Sequence, residues 1–307
     1  MYFFLFKRFL HAIPVLFVVA TITFFLIRVA PGGPFSSEKN LPPEAIANLN
    51  SYYGLEKPIY QQYCEYMLNL FRGDMGPSFQ YTNRTVSGMI MAAFPVSFEL
   101  GLMAMGFALV LGVCMGVFAA TKPNSLRDYL SMSFVMLGIC VPPFVLGPIL
   151  IWFFAIKLEW FNVSGWESFR DCILPVITLG TIYAANIARL GRAGMLEVLS
   201  QDYIRTARAK GVPEILVIVK HSLRGGLLSV VSYIAPAIAG VITGSFVVET
   251  IFQIPGLGKL FVLAAFNRDY TMIMGTVLFY AVMIIIFNTI ADVIQIIMNP
   301  KRSFTEG

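Results

Sequence analysis

Six apolar runs, at residues 9–27, 95–120, 129–156, 173–190, 227–250 and 272–298, leave this chain few ways to fold. Each reaches or approaches the roughly 20 residues that a helix needs to cross about 30 Å of hydrocarbon. No water is available there for unpaired backbone groups, so a spanning segment is either a helix or a strand of a closed barrel. The alternating segments of about ten residues that build an outer-membrane barrel are absent. The expected fold class is therefore an all-α polytopic membrane protein with six transmembrane helices. Composition agrees: of 307 residues 57% are hydrophobic and 13% charged, and the mean hydropathy is +0.75, well outside the soluble range.

Charge sets the expected orientation. Lys7 and Arg8 precede the first run, which is longer than the core of a signal peptide and is followed by no A-x-A-like site, so it reads as a retained helix. An even number of spans puts both termini on one side. Lys122, Arg127, Lys301, Arg302 and the basic residues between Arg189 and Arg224 all fall in short loops on that side, which the positive-inside rule makes cytoplasmic. The expected domains are an N-terminal transmembrane helix (1–30), a small extracytoplasmic insert (31–94), a five-helix core (95–298) with a cytoplasmic loop at 189–226, and a cytoplasmic tail (299–307). The insert is read from its Pro and Gly clusters and from the amphipathic pieces "LPPEAIANLNSYYGL" and "YQQYCEYMLNLF".

Several functions lack the residues they need. The net charge of +5 is spread over loops rather than gathered among aromatics, so nucleic acid is not an expected partner. Cys64, Cys114, Cys140 and Cys172 form no C-x-x-C and no zinc spacing with the two histidines, His11 and His221. Cys64 and Cys172 both fall in segments read as external, which leaves a bridge between them open. "GLGKL" at 256–260 lacks the Ser or Thr and the upstream Gly of a phosphate loop and reads as a turn or interfacial element. H-E-x-x-H and G-x-S-x-G are also missing, so no catalytic, cofactor-binding or metal-binding residue is assigned.

Polar residues inside spans are costly and point by default to a pathway. Glu99, Asn186, Asn288 and Asp292 are the candidates, with Glu249 at the outer end of the fifth span read as either a gate or an anchor. Glu99 and Asp292 lie near predicted helix ends, where structural pairing is the favoured reading. Gly112-x-x-x-Gly116 and Gly240-x-x-x-Gly244 suit close helix packing.

The stretch "QDYIRTARAKGVPE" at 201–214 interrupts this apolar pattern. Ser200 or Asp202 is placed to cap a short helix, Gly211 to take the left-handed position after it, and Pro213 to stop it and start a second helix toward Arg224. Tyr203, Thr206, Ala207 and Lys210 share one face, with Arg205, Arg208 and Ala209 beside it. Three turns are marginal alone in water, so another surface must hold the helix. A basic loop on anionic lipid is one reading; a partner protein is the other.

"YIRTARAKG" at 203–211, followed by His221, Leu223 and Leu228, resembles the cytoplasmic signature loop of ABC-importer permeases in the version of the peptide importers. Arg205, Thr206, Ala207 and Gly211 stand at the family's Glu-Ala-Ala…Gly positions, with Arg in place of Glu and Ser229 where Pro is frequent. "RVAPGGPF" at 28–35, "YGLEKPIYQQY" at 53–63, "RGDMGPSF" at 72–79, "FPVSFELG" at 94–101, "VETIFQIPGLGKL" at 248–260 and "NRDYTM" at 267–272 resemble, in order, landmarks of the B-type oligopeptide permease.

The resemblance implies a type I ABC importer permease fold and a subunit that carries oligopeptides or dipeptides across the inner membrane. It implies a C-type permease partner, two ATP-binding subunits that hold ATP and Mg, an extracytoplasmic peptide-binding protein, and docking of Tyr203, Arg205, Thr206, Ala207, Arg208, Lys210 and Gly211 on an ATPase. Glutathione, nickel or its chelates, and opines are the alternative cargoes. A stand-alone ion-coupled carrier is the rival class; it would need coupling-ion ligands near the midplane and repeated halves, which are not evident.

Overall fold

A computed structural model describes residues 2–30, 32–35, 42–81 and 83–298 of the chain. The tail at 299–307, with Lys301 and Arg302, lies outside the described residues, as do the surroundings of Gly244. The elements are α1 (Tyr2–Val29), α2 (Pro43–Tyr52), α3 (Ile59–Phe71), α4 (Val86–Ala120), α5 (Leu126–Cys140), α6 (Pro143–Leu150) with a π-helical continuation (Ile151–Lys157), and α7 (Phe169–Leu199). Then follow α8 (Asp202–Ala209), α9 (Glu214–Leu216) with a π-helical stretch (Val217–Ser222), α10 (Leu223–Gly226), α11 (Leu228–Gly244), α12 (Phe246–Ile251), α13 (Leu257–Asn267) and α14 (Tyr270–Met298).

Among the described residues five stretches are long and apolar enough to cross a membrane: Phe6–Val29, Val86–Ala120, Phe169–Leu199, Leu228–Ile251 and Tyr270–Ile294. The sixth expected span, 129–156, is not one rod. Its two halves, α5 and α6 with the π-helical continuation, meet at a bend of 106°. Pro142 and Pro143 fall at the break, removing two backbone donors and pushing the residue before each proline out of the helical region. α4 starts at Val86, ahead of the expected Pro95, which it accommodates within the helix. At 35 residues it is about 52 Å long, longer than the hydrocarbon it has to cross.

The chain divides into two compact units, Met1–Ser97 with Pro255–Ile286, and Phe98–Ile254 with Phe287–Gly307. In the first, the insert is built onto α1 and α14. The amphipathic face of α3 lays Tyr63, Tyr66 and Met67 against Ala20, Phe24 and Ile27 of α1 and Tyr270, Met274 and Leu278 of α14. Tyr63 Oη and Thr21 Oγ1 share a hydrogen bond of 2.8 Å. The Arg28 guanidinium sits 3.5 Å from the centre of the Phe24 ring and donates to Gln62 Oε1 at 3.0 Å. Two sequence landmarks meet at Asp269, which is 1% exposed. Its carboxylate accepts from the Ser78 hydroxyl, the Phe79 and Gln80 amides, the Thr271 hydroxyl and the Met272 amide, so "RGDMGPSF" is tied to the start of α14. A buried carboxylate with several donors is a stable anchor, because each lone pair has a partner.

In the second unit α7 is the hub, and glycines let its neighbours come close. A Cβ at Gly112 of α4 would stand 2.6 Å from the Ala184 carbonyl oxygen, and one at Gly116 would stand 2.5 Å from that of Ala188. On α5, Gly138 meets Thr181 the same way at 2.6 Å. The Gly112 and Gly116 pair is therefore used for packing within the subunit. Gly240 of α11 faces the Tyr183 hydroxyl. α5 and α7 are also joined by a bidentate ion pair, Arg192 Nε to Asp128 Oδ1 at 2.6 Å and Nη2 to Oδ2 at 2.7 Å, with the Asp128 side chain 3% exposed. The π-helical and α-helical pieces from 214 to 226 return the chain from α8 to α11.

Candidate docking loop and polar span residues

The basic stretch folds as a two-armed clamp on the end of α7. Its first arm, α8, is eight residues long. Gln201, not Ser200 or Asp202, takes the extended cap position; the Ser200 hydroxyl instead donates back to the Glu197 carbonyl at 2.7 Å. Gly211 adopts φ +76°, the left-handed turn expected of it, and Pro213 precedes α9. The clamp has a core of its own: Ile204, Ala207 and Val217 are buried together, with Val198, Leu199 and Val212 packed against them. Val198 and Leu199 belong to the last turn of α7, so α8 is fixed to that helix rather than hanging from a flexible linker.

This packing sets Ala207 apart from the other residues named for docking. Ala207 is 9% exposed and points into the clamp core, because its neighbour Ile204 on the same side is fully buried and takes the face with it. The outer surface of α8 is made of Tyr203, Arg205, Thr206, Arg208 and Lys210, all exposed, with Gly211 exposed at the turn. Arg208 is bound to Glu214 across the turn, Nη2 to Oε1 at 2.6 Å and Nε to Oε2 at 3.1 Å. That hydrogen-bonded pair holds the Glu214 carboxyl below the ordinary carboxylate range and pushes the Arg208 guanidinium up. Arg205 lies 3.5 Å from Asp202.

The second arm returns to α7 at a contact the sequence did not disclose. A Cβ on Gly194 would stand 2.2 Å from the Gly226 carbonyl oxygen, and one on Gly226 would stand 2.5 Å from Met195 Sδ. Two backbones touch there, which only glycine permits. Because α7 runs without a break to Leu199, the expected limit of the span at 190 is exceeded by more than two turns of helix, and both arms of the clamp grip that extension.

The polar span residues fall in different surroundings. Asn186 lies in a defined polar group: its Nδ2 donates to the Ile182 carbonyl at 3.2 Å and its Oδ1 accepts from Arg189 at 3.1 Å, with Tyr233 of α11 close by. Glu99 is exposed on α4 and sits near Cys172, about 21 Å along α7 from Asn186, so these two do not share a site. Glu249 is fully buried and accepts a hydrogen bond from the Ser245 hydroxyl. Asn288 and Asp292 are half-buried, one turn apart on α14. Cys64 and Cys172 are free thiols, and "GLGKL" forms the cap and first turn of α13. Among the described residues no group of three or more His, Cys, Asp or Glu could hold a metal.

Five stretches able to cross a membrane, with a basic loop folded onto the end of α7, define the class as a multi-span α-helical membrane protein. Comparison with known proteins gives the family. Residues 112–304 match the model of the "Binding-protein-dependent transport system inner membrane component", and residues 1–101 match the N-terminal component of the same systems. The chain is 48% identical over 300 residues to the oligopeptide transport system permease protein OppB of Haemophilus influenzae, covering 97% of this chain and 98% of that protein. It is 45% identical over 300 residues to OppB of Escherichia coli K12, with the same coverage. It is 42% identical to the dipeptide transport system permease protein DppB of Bacillus subtilis, covering 96% of each. A crystal structure of an amino acid ABC transporter with histidines shares the fold at a TM-score of 0.54 and 13% identity, over 68% of this chain and 93% of that one. The chain belongs to the binding-protein-dependent inner membrane components, in their OppB/DppB-type branch. It is a multi-pass inner-membrane permease subunit, not an enzyme.

Proposed function

We propose that this subunit forms one half of a pathway for oligopeptides or dipeptides, driven by ATP hydrolysed in separate subunits that dock on α8. Both termini and the clamp lie in the cytoplasm. A C-type permease supplies the other half, two ATP-binding subunits hold ATP and Mg, and an extracytoplasmic binding protein delivers the peptide. The observation that carries the reading is the double grip of the clamp on α7, through Val198 and Leu199 on one arm and Gly194 on the other. A push on the outer surface of α8 is passed to α7 directly and to α11 through α10, without a soft joint to absorb it. Differential force on two neighbouring spans is what a change between outward-open and inward-open states requires. Tyr203, Arg205, Thr206, Lys210 and Gly211 form the docking surface; Ala207 and the Arg208–Glu214 pair hold its shape. Asn186, with Arg189 and Tyr233, is the pathway candidate best placed in a polar group, and Glu249, Asn288, Asp292 and Glu99 are secondary ones.

The test is uptake of a labelled tetrapeptide by cells carrying Gly226→Val or wild-type chain, with the partner ATPase present. Gly226→Val places two methyl groups against Met195 and should leave ATP hydrolysis running while uptake is lost. Full uptake in the variant overturns the coupling role.

A further inference from the structure

All three tryptophans of the chain, Trp152, Trp160 and Trp166, fall where the bent third span ends. The chain runs sideways there. Gly138 near the end of α5 packs on Thr181 of α7, and Gly147 of α6 packs on Thr178, Ile251 and Phe252. Nine residues of chain thus advance only three positions along α7, about 4.5 Å, where a helix running on through the membrane would advance about 13 Å. Gly165 then reaches Asp171 in the first turn of α7. α6 and its π-helical continuation therefore lie across the first turns of α7 rather than along them.

This segment buries Gly147 and Ala155 and exposes Phe144, Val145, Ile149, Trp152, Phe153 and Ile156 as one stripe. A face that repeats every four residues drifts by about 40° per repeat in an α-helix; the wider π turns that begin at Ile151 take the drift back. The stripe is bulky and has no glycine, alanine or serine among its exposed residues. Helices that pair in a membrane bring their backbones together on small residues, as α7 does with Gly112, Gly116 and Gly138, so the stripe suits acyl chains and not a partner helix. Its far end changes character: the Lys157 ammonium stands 4.7 Å from the centre of the Trp152 ring, and Trp160 follows. Trp and Lys at the end of an apolar face fit the boundary between acyl chains and headgroups, and the ammonium complements a lipid phosphate. The loop beyond is fastened. The Gly165 amide donates to the Phe252 carbonyl at 3.3 Å, and the Asp171 carboxylate accepts from the Glu167 and Ser168 amides at 2.9 and 2.7 Å.

We propose that this stripe is a docking surface for phospholipid of the outer leaflet, with acyl chains along Phe144, Ile149 and Phe153 and a headgroup phosphate at Lys157. Through Gly147 and Gly165 the bound lipid steadies α7 and α12 at the end of α7 opposite the clamp. The inference rests on the topology proposed above, which puts residues 157–168 outside.

Because the chain has no other tryptophan, the emission of the unaltered full chain reports this stretch alone. The chain is placed in phosphatidylcholine nanodiscs whose lipid is brominated either near the glycerol or near the chain end. Shallow bromines should quench most of the emission, deep bromines and aqueous iodide little of it. In single-tryptophan versions, with the other two changed to Phe, Trp152 and Trp160 should carry the shallow quenching. Lys157→Glu, which sets a carboxylate against the phosphate, should weaken quenching of Trp152, and Lys157→Arg should retain it. Quenching by iodide in place of bromine, or deep bromines as effective as shallow ones, overturns the proposal. So does loss of shallow quenching once the second permease and the ATPases are added, since a protein would then cover the stripe. Val163→Cys, with the four native cysteines changed to serine, tests the topology separately. Labelling by an impermeant maleimide from outside intact spheroplasts supports the outer leaflet; labelling only from the cytoplasmic side, with shallow quenching intact, rejects the topology and moves the contact to the inner leaflet.

Discussion

Replacing Ile204 by alanine should loosen the clamp without unfolding the bundle. Ile204 is 0% exposed and packs with Ala207 and Val217 in a cluster that also touches Val198 and Leu199. Removing its buried carbons costs about 2–5 kcal/mol, the larger values applying where the surroundings cannot collapse into the gap. The clamp is small, and segments of this kind open locally with free energies below that of the whole protein. A loss of about 3 kcal/mol therefore raises the open population of α8 by about a hundredfold. Hydrogen–deuterium exchange followed peptide by peptide reads this directly. Amides of residues 204–217 should exchange about a hundredfold faster, while those of the glycine-packed part of α7, residues 178–188, keep their protection. Ile204→Val, which costs about 0.5–1.5 kcal/mol, should give an increase of only about three- to tenfold. Peptide uptake should fall with the loosening while ATP hydrolysis continues. Unchanged exchange in α8, or equal acceleration through α7, would show that the clamp has no core of its own and refute the reasoning.

Three other outcomes follow from the same contacts. Arg192→Met leaves the buried Asp128 carboxylate without its bidentate partner and should lower stability in detergent by about 3–5 kcal/mol, whereas the double change Asp128→Leu with Arg192→Met should recover most of it in thermal unfolding. Gly116→Leu drives a side chain into the Ala188 carbonyl and should abolish the folded monomer peak in size-exclusion chromatography, while Gly106→Leu, at a glycine with open space around it, should not. The Arg208–Glu214 pair lowers the folded carboxyl's value, so its contribution is complete above the ordinary carboxylate range and is lost as pH falls through the depressed value. With these side chains 43% and 54% exposed that contribution is under about 1 kcal/mol, and Glu214→Gln should remove the acid-dependent rise in exchange of residues 208–214.

The apolar runs were enough to read five spans and the helical class, because length and hydropathy alone decide what crosses a bilayer. The bend between α5 and α6 was visible as Pro142-Pro143, yet the apolar residues on both sides disguised it as a single run. Gly211 was readable because a helix end followed by glycine has one favoured geometry. The burial of Ala207 was not legible, since the periodicity of α8 gives two candidate faces and only the position of Val217 beyond the turn selects the inner one. The Gly194–Gly226 approach, the Asp128–Arg192 pair and the Asp269 anchor join residues far apart in the chain, and no local pattern carries such pairings.

Cross-linking from single cysteines on the clamp tests the central claim most directly. In a background where the four native cysteines are serine, Tyr203→Cys and Lys210→Cys on the exposed side of α8, and Val217→Cys in its core, are treated in native membranes with a short thiol-to-amine reagent. Coupling through α8 predicts an adduct with a nucleotide-binding subunit from positions 203 and 210, altered in yield by ATP, and none from 217. Adducts with lipid alone, or with no ATPase at either exposed position, would contradict it.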